Sequence, residues 1–126
     1  MILINVPDPD VTIYKSDNLG PAKDTPASRL YGFIDYKDIP RKVAGIYMFF
    51  DKDGQLLYVG QAVSLRSRVR EHFYSSKSAI KDHRGEVFKI SVFYVKDALD
   101  RELYETYIIN KYKAKYNVGK VFGYKS

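Results

Sequence analysis

Six polar side chains are of types that can bind a cation, meet an anion or move a proton: Tyr47, Tyr58, Arg68, His72, Glu105 and Asn117. Hydrolysis at phosphorus needs water to lose a proton, charge on the phosphoryl oxygens to be offset and the leaving oxygen to be stabilised. Glu105 is the best metal ligand in the chain, and one carboxylate plus retained waters suits Mg²⁺ or Mn²⁺, since Mg²⁺ dehydrates reluctantly. The rigid donor fork of Arg68 suits a phosphoryl oxygen that gains charge in the transition state. His72 can relay a proton near neutral pH. Taken singly, each residue has an ordinary explanation: strand tyrosines, a solvated arginine, a core-edge histidine, Glu105 paired with Arg101 four residues before it, and Asn117 in a turn.

The elements that must position them are legible in outline. Gly45 to Phe50 is an apolar, aromatic run that predicts a strand. Asp53-Gly54 supplies the positive φ of a tight hairpin, and Leu56 to Gly60 returns as the second strand, with one tyrosine on each. Ser64 is placed to cap a helix whose Leu65, Val69 and Phe73 form one apolar stripe. At about 100° per residue, Arg68 and His72 fall within about 60° of Leu65 on one flank of that stripe, and Arg66 and Arg70 lie on the other. Val87 to Val95 is apolar on both faces and predicts a central strand. Asp97 begins a helix from Ala98 to about Tyr112. It carries one stripe of Leu99, Leu103 and Tyr107 and another of Ile108, Ile109 and Tyr112, which predicts burial on two sides. Glu105 lies within the second stripe, where an ionised carboxylate needs a partner or a metal.

Gly45-Ile46-Tyr47 and Tyr58-Val59-Gly60, with their tyrosines eleven residues apart, resemble the paired signature of the GIY-YIG nuclease superfamily, a group that includes excinucleases, homing endonucleases and some restriction enzymes. The resemblance runs from about Val43 to Val118. It implies metal-dependent endonucleolytic hydrolysis of DNA, with Glu105 holding the cation and one tyrosine serving as general base. Tyr58 is the expected base and Tyr47 the water-positioning partner, the reverse assignment staying open. Arg68 would meet the phosphate, His72 matches a histidine of the homing-endonuclease branch, and Asn117 would fix the geometry. Two positions depart from the excinuclease pattern: Gln61 stands where those members carry a lysine, and Ala114 where they carry a proline.

The chain has 126 residues and a net charge of +6, with −2 over residues 1–40 and +8 over residues 41–126. A basic second part suits a phosphate-backbone partner, and Gln61, Arg66, Arg70, Lys77, Lys113 and Lys115 are the candidate DNA contacts. With no cysteine there is neither a disulfide framework nor a cysteine-ligated zinc site. No apolar run reaches membrane-span length and no signal peptide is visible, so a soluble cytoplasmic protein with no membrane partner is expected.

All five prolines fall in residues 1–40. That stretch predicts an arm packed on the domain, with a short strand over Met1 to Val6, little periodicity from Pro7 to Ser28 and an aromatic docking segment over Tyr31 to Tyr36. Residues 41–126 form the nuclease-like domain. The expected class is α/β (α+β): a small mixed or antiparallel sheet of three main strands flanked by helices. No appended specificity module is visible, which leaves a homodimer or a separate specificity partner open. The alternatives are a catalytically silent nucleic-acid-binding module on the same scaffold and a protein-interaction domain.

Overall fold

A computed structural model of the chain describes residues 2–16, 31–33 and 35–122. Among the described residues four strands and two α-helices follow one another as β1 (Val11–Tyr14), β2 (Gly45–Phe50), β3 (Leu56–Ala62), α1 (Leu65–Glu71), β4 (Lys89–Tyr94) and α2 (Ala98–Lys111), with a 3₁₀ turn at Arg84–Glu86. The class is α+β. The sheet is antiparallel throughout in the order β1-β4-β2-β3. The β2–β3 hairpin turns at Gly54, whose φ of 83° is the left-handed value that a glycine adopts without a Cβ clash.

Pleating sends alternate side chains to opposite faces. Tyr47 and Phe49 join Leu65, Val69 and Phe73 on the α1 face, together with Phe33, Tyr36 and Ile39 from the segment before β2. Ile46 and Met48 join Phe93, Ile108 and Ile109 on the α2 face. Phe33 and Tyr36 of the aromatic segment are buried, as is Ile39 after it; Ile34 and residues 17–30 of the expected arm lie outside the described residues.

Four local expectations change. First, residues 2–6 carry no strand, and the arm instead contributes Val11–Tyr14, which pairs with β4 and gives the sheet its fourth strand. With β1 on one side and β2 on the other, β4 is central. Second, Ser64 is the N-cap of α1 in extended conformation, yet its hydroxyl caps no amide and lies 3.5 Å from Ser67 Oγ. The Leu65 N–H donates instead to the Val43 carbonyl at 2.9 Å. Third, α2 is buried on one side only: Ile108 and Ile109 are in the core, whereas Leu99 and Leu103 are more than half exposed. The sheet offers a single helix one face to cover, and no described element lies outside α2 to take the other. Fourth, Tyr112 falls at the helix end and is exposed, so it does not extend the second stripe.

The last described segment finishes the sheet. Lys115 N–H and Tyr116 N–H donate to the Leu56 and Leu57 carbonyls at 3.1 and 2.8 Å, covering the open side of edge strand β3. At the start of α2, Asp97 accepts from Asp100 N–H at 2.9 Å. Asp97→Ala should lower stability by about 1 kcal/mol, the usual worth of such a cap, read as a shift of the urea midpoint with an unchanged slope.

Candidate active site

The hairpin register decides where the two tyrosines go. Tyr47 pairs with Gly60 and Tyr58 pairs with Phe49, so both phenols project to the α1 face. Gly60 has to be glycine for a steric reason: a Cβ there would run into the Tyr47 ring and hydroxyl. The Tyr47 ring fills that space and is 2% exposed.

Across from it, α1 ends at His72. The His72 Nε2 lies 2.7 Å from the Tyr47 hydroxyl, and its Nδ1 lies 2.7 Å from Ser78 Oγ. A neutral imidazole has one N–H and one lone pair, so one neighbouring hydroxyl donates to it and the other accepts from it. The ring is also packed against both phenols, with centroids 5.2 Å from Tyr47 and 5.3 Å from Tyr58. Burial, followed by the nearby charges of Arg68 and Arg84, lowers the His72 pKa to about 4, and the ring is neutral at pH 7. Arg84 also ties down the loop after α1 through the His72 carbonyl at 2.7 Å and the Ser75 carbonyl.

Burial above all, then the Tyr58 phenol and the Glu105 carboxylate, push the Tyr47 phenol far above its ordinary range, with Arg68 opposing. Burial and Glu105 also raise the Tyr58 phenol, against Arg68 and Lys120. Both phenols thus respond to the charges of Arg68 and Glu105. Tyr58 is the less buried of the two, and its hydroxyl makes no hydrogen bond among the described residues. Arg68 is about half exposed; it makes a loose 3.8 Å pair with Glu71 and lies near enough to the Tyr47 phenol to oppose its upward shift. Tyr47, Tyr58, Arg68, His72, Lys77 and Ser78 together line an open depression of about 180 Å³.

Glu105 approaches from α2 and does not line that depression. Its side chain is 10% exposed, and the expected pair with Arg101 does not form. Arg101 turns to the Val95 and Lys96 carbonyls at 3.2 and 2.8 Å, bracing the turn between β4 and α2. The Glu105 Oε1 accepts instead from Gln61 Nε2 at 3.1 Å and from the Lys120 ammonium. The same two donors hold Glu102 Oε2 at 2.9 and 2.7 Å. Hydrogen bonding to Lys120 keeps Glu102 below the usual carboxylate range. Among the described residues no group of three or more His, Asp and Glu side chains gathers.

Asn117 is buried and hydrogen-bonds both backbone groups of Val59, accepting from the N–H at 3.0 Å and donating to the carbonyl at 2.9 Å. It thereby continues the edge pairing of β3 one residue before Gly60. Of the candidate DNA contacts, Lys77 lines the depression and Gln61 meets the acids. Arg66 donates to the Ile39 and Lys37 carbonyls and, with Arg70, lines a separate basic cleft on the other flank of α1. Lys115 faces Glu86 at 3.8 Å, and Lys113 is exposed at a left-handed backbone position. Sequence reasoning missed Ser78 and Lys120. Neither carries a local signal: each reaches the site through a turn whose path the flanking residues do not announce.

The family described as GIY-YIG catalytic domain matches residues 43–117. An uncharacterized protein of Bacillus subtilis, YurQ, is 46% identical over 122 residues, spanning 97% of this chain and 98% of its own. UvrABC system protein C of Clostridioides difficile is 36% identical over 77 residues, which cover 59% of this chain but 13% of that protein. The N-terminal GIY-YIG endonuclease domain of UvrC from Thermotoga maritima, in a crystal structure with magnesium as its catalytic divalent cation, superposes with a TM-score of 0.56 at 27% identity. That match covers 62% of this chain and 86% of that domain.

The buried imidazole makes stability depend on pH. The unfolded chain takes up the proton at the ordinary pKa of about 6.5, whereas folded His72 resists it until about pH 4. Stability should therefore be unaffected above that interval and fall by about 3 kcal/mol as the pH drops through it. Urea unfolding at pH 7, 5.5 and 4.5 tests this: His72→Gln should be much less pH-sensitive than the wild type, and parallel curves would refute it.

Proposed function

The chain belongs to the GIY-YIG catalytic-domain family, and on that premise we propose that it is a divalent-metal-dependent endonuclease that hydrolyses DNA phosphodiester bonds. The observation that carries this reading is the convergence of two phenols, a guanidinium and an imidazole on one open depression, with Glu105 close enough to shift both phenols. Mg²⁺ or Mn²⁺ fits the donor set. Glu105 offers a nearly buried carboxylate that already has a cationic group against it, and the sparse acid count suits an ion that keeps its waters. When bound, such a cation supplies charge neutralisation at the phosphate and screens the Glu105 charge from both phenols.

The chain's own residues would divide the work as follows. Tyr58 would act as the base in its phenolate form, its own proton having passed to solvent, and would then take the proton of the attacking water. That ionised form is favoured when a cation at Glu105 offsets the carboxylate charge that raises the phenol. Tyr47, held by His72, positions that water. Neutral His72 keeps the Tyr47 hydroxyl oriented, and Ser78 keeps the imidazole oriented. Arg68 offsets the charge that develops on the phosphoryl oxygens. Lys77 meets the phosphate backbone at the mouth of the depression, and the Arg66/Arg70 cleft gives the duplex a second contact on the far flank of α1. Asn117 would fix the geometry by holding the Val59 backbone rather than react.

The test is cleavage of plasmid and branched DNA by purified protein with Mg²⁺ or Mn²⁺. Arg68→Ala should reduce the rate by about 10²- to 10³-fold, the usual cost of losing a donor to a developing oxyanion. Glu105→Gln should abolish metal-dependent cleavage, and Tyr58→Phe should cost more than Tyr47→Phe. A Glu105→Gln protein that cleaves at the wild-type rate would overturn the metal assignment. Salt-sensitive DNA binding by wild type with no cleavage under either ion would instead establish the silent binding module.

A further inference from the structure

The Lys120 ammonium sits where the proposed function needs a metal. It contacts Glu105 Oε1 and lies 2.7 Å from Glu102 Oε2. This placement is built by the backbone around it. Lys120 has φ 59°, a left-handed conformation that L-residues rarely adopt. Asn110 on α2 holds it there, donating from Nδ2 to the Lys120 carbonyl at 2.8 Å and accepting from Phe122 N–H at 2.7 Å. On the other side Asn117 pins the chain to β3. Between these two anchors, Val118, Gly119 and Lys120 are all exposed. The ammonium is thus presented on a short solvent-facing loop with fixed ends, and its side chain is 39% exposed, so it can leave without opening the core.

We propose that Lys120 is a resident cation of the carboxylate site, which a hard divalent ion must displace from Glu105, so that Lys120 sets the metal affinity and the Val118–Lys120 loop reports metal loading. This rests on the metal reading of Glu105. An ammonium and a divalent cation at one carboxylate oxygen exclude each other sterically and repel electrostatically, so both effects act in the same direction. Gln61 stays on Glu105 as the loop leaves: its amide brings no charge and does not compete for the cation.

The full chain is titrated with Mn²⁺, with free ion followed by electron paramagnetic resonance. Lys120→Met should bind Mn²⁺ about tenfold more tightly than wild type, and Lys120→Arg should stay close to wild type. Asn110→Ala, which keeps the lysine but frees the turn, should shift affinity in the same direction as Lys120→Met by a smaller factor. In hydrogen exchange, Mg²⁺ should reduce protection at the Phe122 amide in wild type. Unchanged or weaker Mn²⁺ binding by Lys120→Met overturns the proposal. If wild type and Lys120→Met bind equally well, the resident cation alone is refuted. If neither binds Mn²⁺ at millimolar concentration, the metal reading of Glu105 falls with it.

Discussion

Tyr47 and His72 are both buried, and each carries a polar atom that would be costly to leave unpaired away from water. Their 2.7 Å hydrogen bond solves that problem for both, and most of the site follows from it. The bond requires the Tyr47 ring to lie flat over Gly60, which ties it to the hairpin register. It also requires α1 to end with its imidazole facing the sheet, which the buried Leu65, Val69 and Phe73 stripe enforces. Arg68, one turn before His72, is then carried to the rim of the same depression with its side chain about half exposed. Ser78 and Arg84 complete the arrangement by holding the other imidazole nitrogen and the loop after the helix.

The opposite side of the site has a different character. Around the imidazole, hydrogen bonds between neutral groups dominate and burial keeps protons in place. Around Glu105 the interactions are ionic, and the Lys120 and Glu102 side chains that take part are close to half exposed. An ion pair with one nearly buried partner and one exposed partner is exchangeable in a way that the Tyr47–His72 bond is not. The structure therefore pairs a rigid organic half with an adjustable electrostatic half. Edge strand β3 lies between them, its outer side closed by residues 115–117.

The elements carrying the site were legible because their signals are local. The aromatic hairpin, its Asp-Gly turn and the i, i+4, i+8 stripe each confine their information to a few neighbouring residues. Strand β1 was not, because Val11-Thr12-Ile13-Tyr14 follows Pro7 and Pro9 and has a single strand partner, far away at β4. The outer stripe of α2 misled for a related reason. Leu99 and Leu103 have the spacing of a buried face, but spacing cannot say whether another element is there to cover it. Glu105 was readable as an acid in need of a partner, while the partner was not. Arg101 at i−4 was the nearest choice along the helix, and the backbone carbonyls of Val95 and Lys96 captured it first.

Read alone, the sequence determined the α+β class, the hairpin and both helices, and the six polar residues with the family signature they carry. These depend on residue type and short-range period, which are properties of the chain before it folds. Tertiary structure alone decided which face each tyrosine takes, that His72 is shared between Tyr47 and Ser78, and that Lys120 rather than Arg101 neutralises Glu105. Those are contests among groups remote in sequence, and their outcome depends on reach, burial and competing hydrogen bonds that exist only once the sheet has assembled.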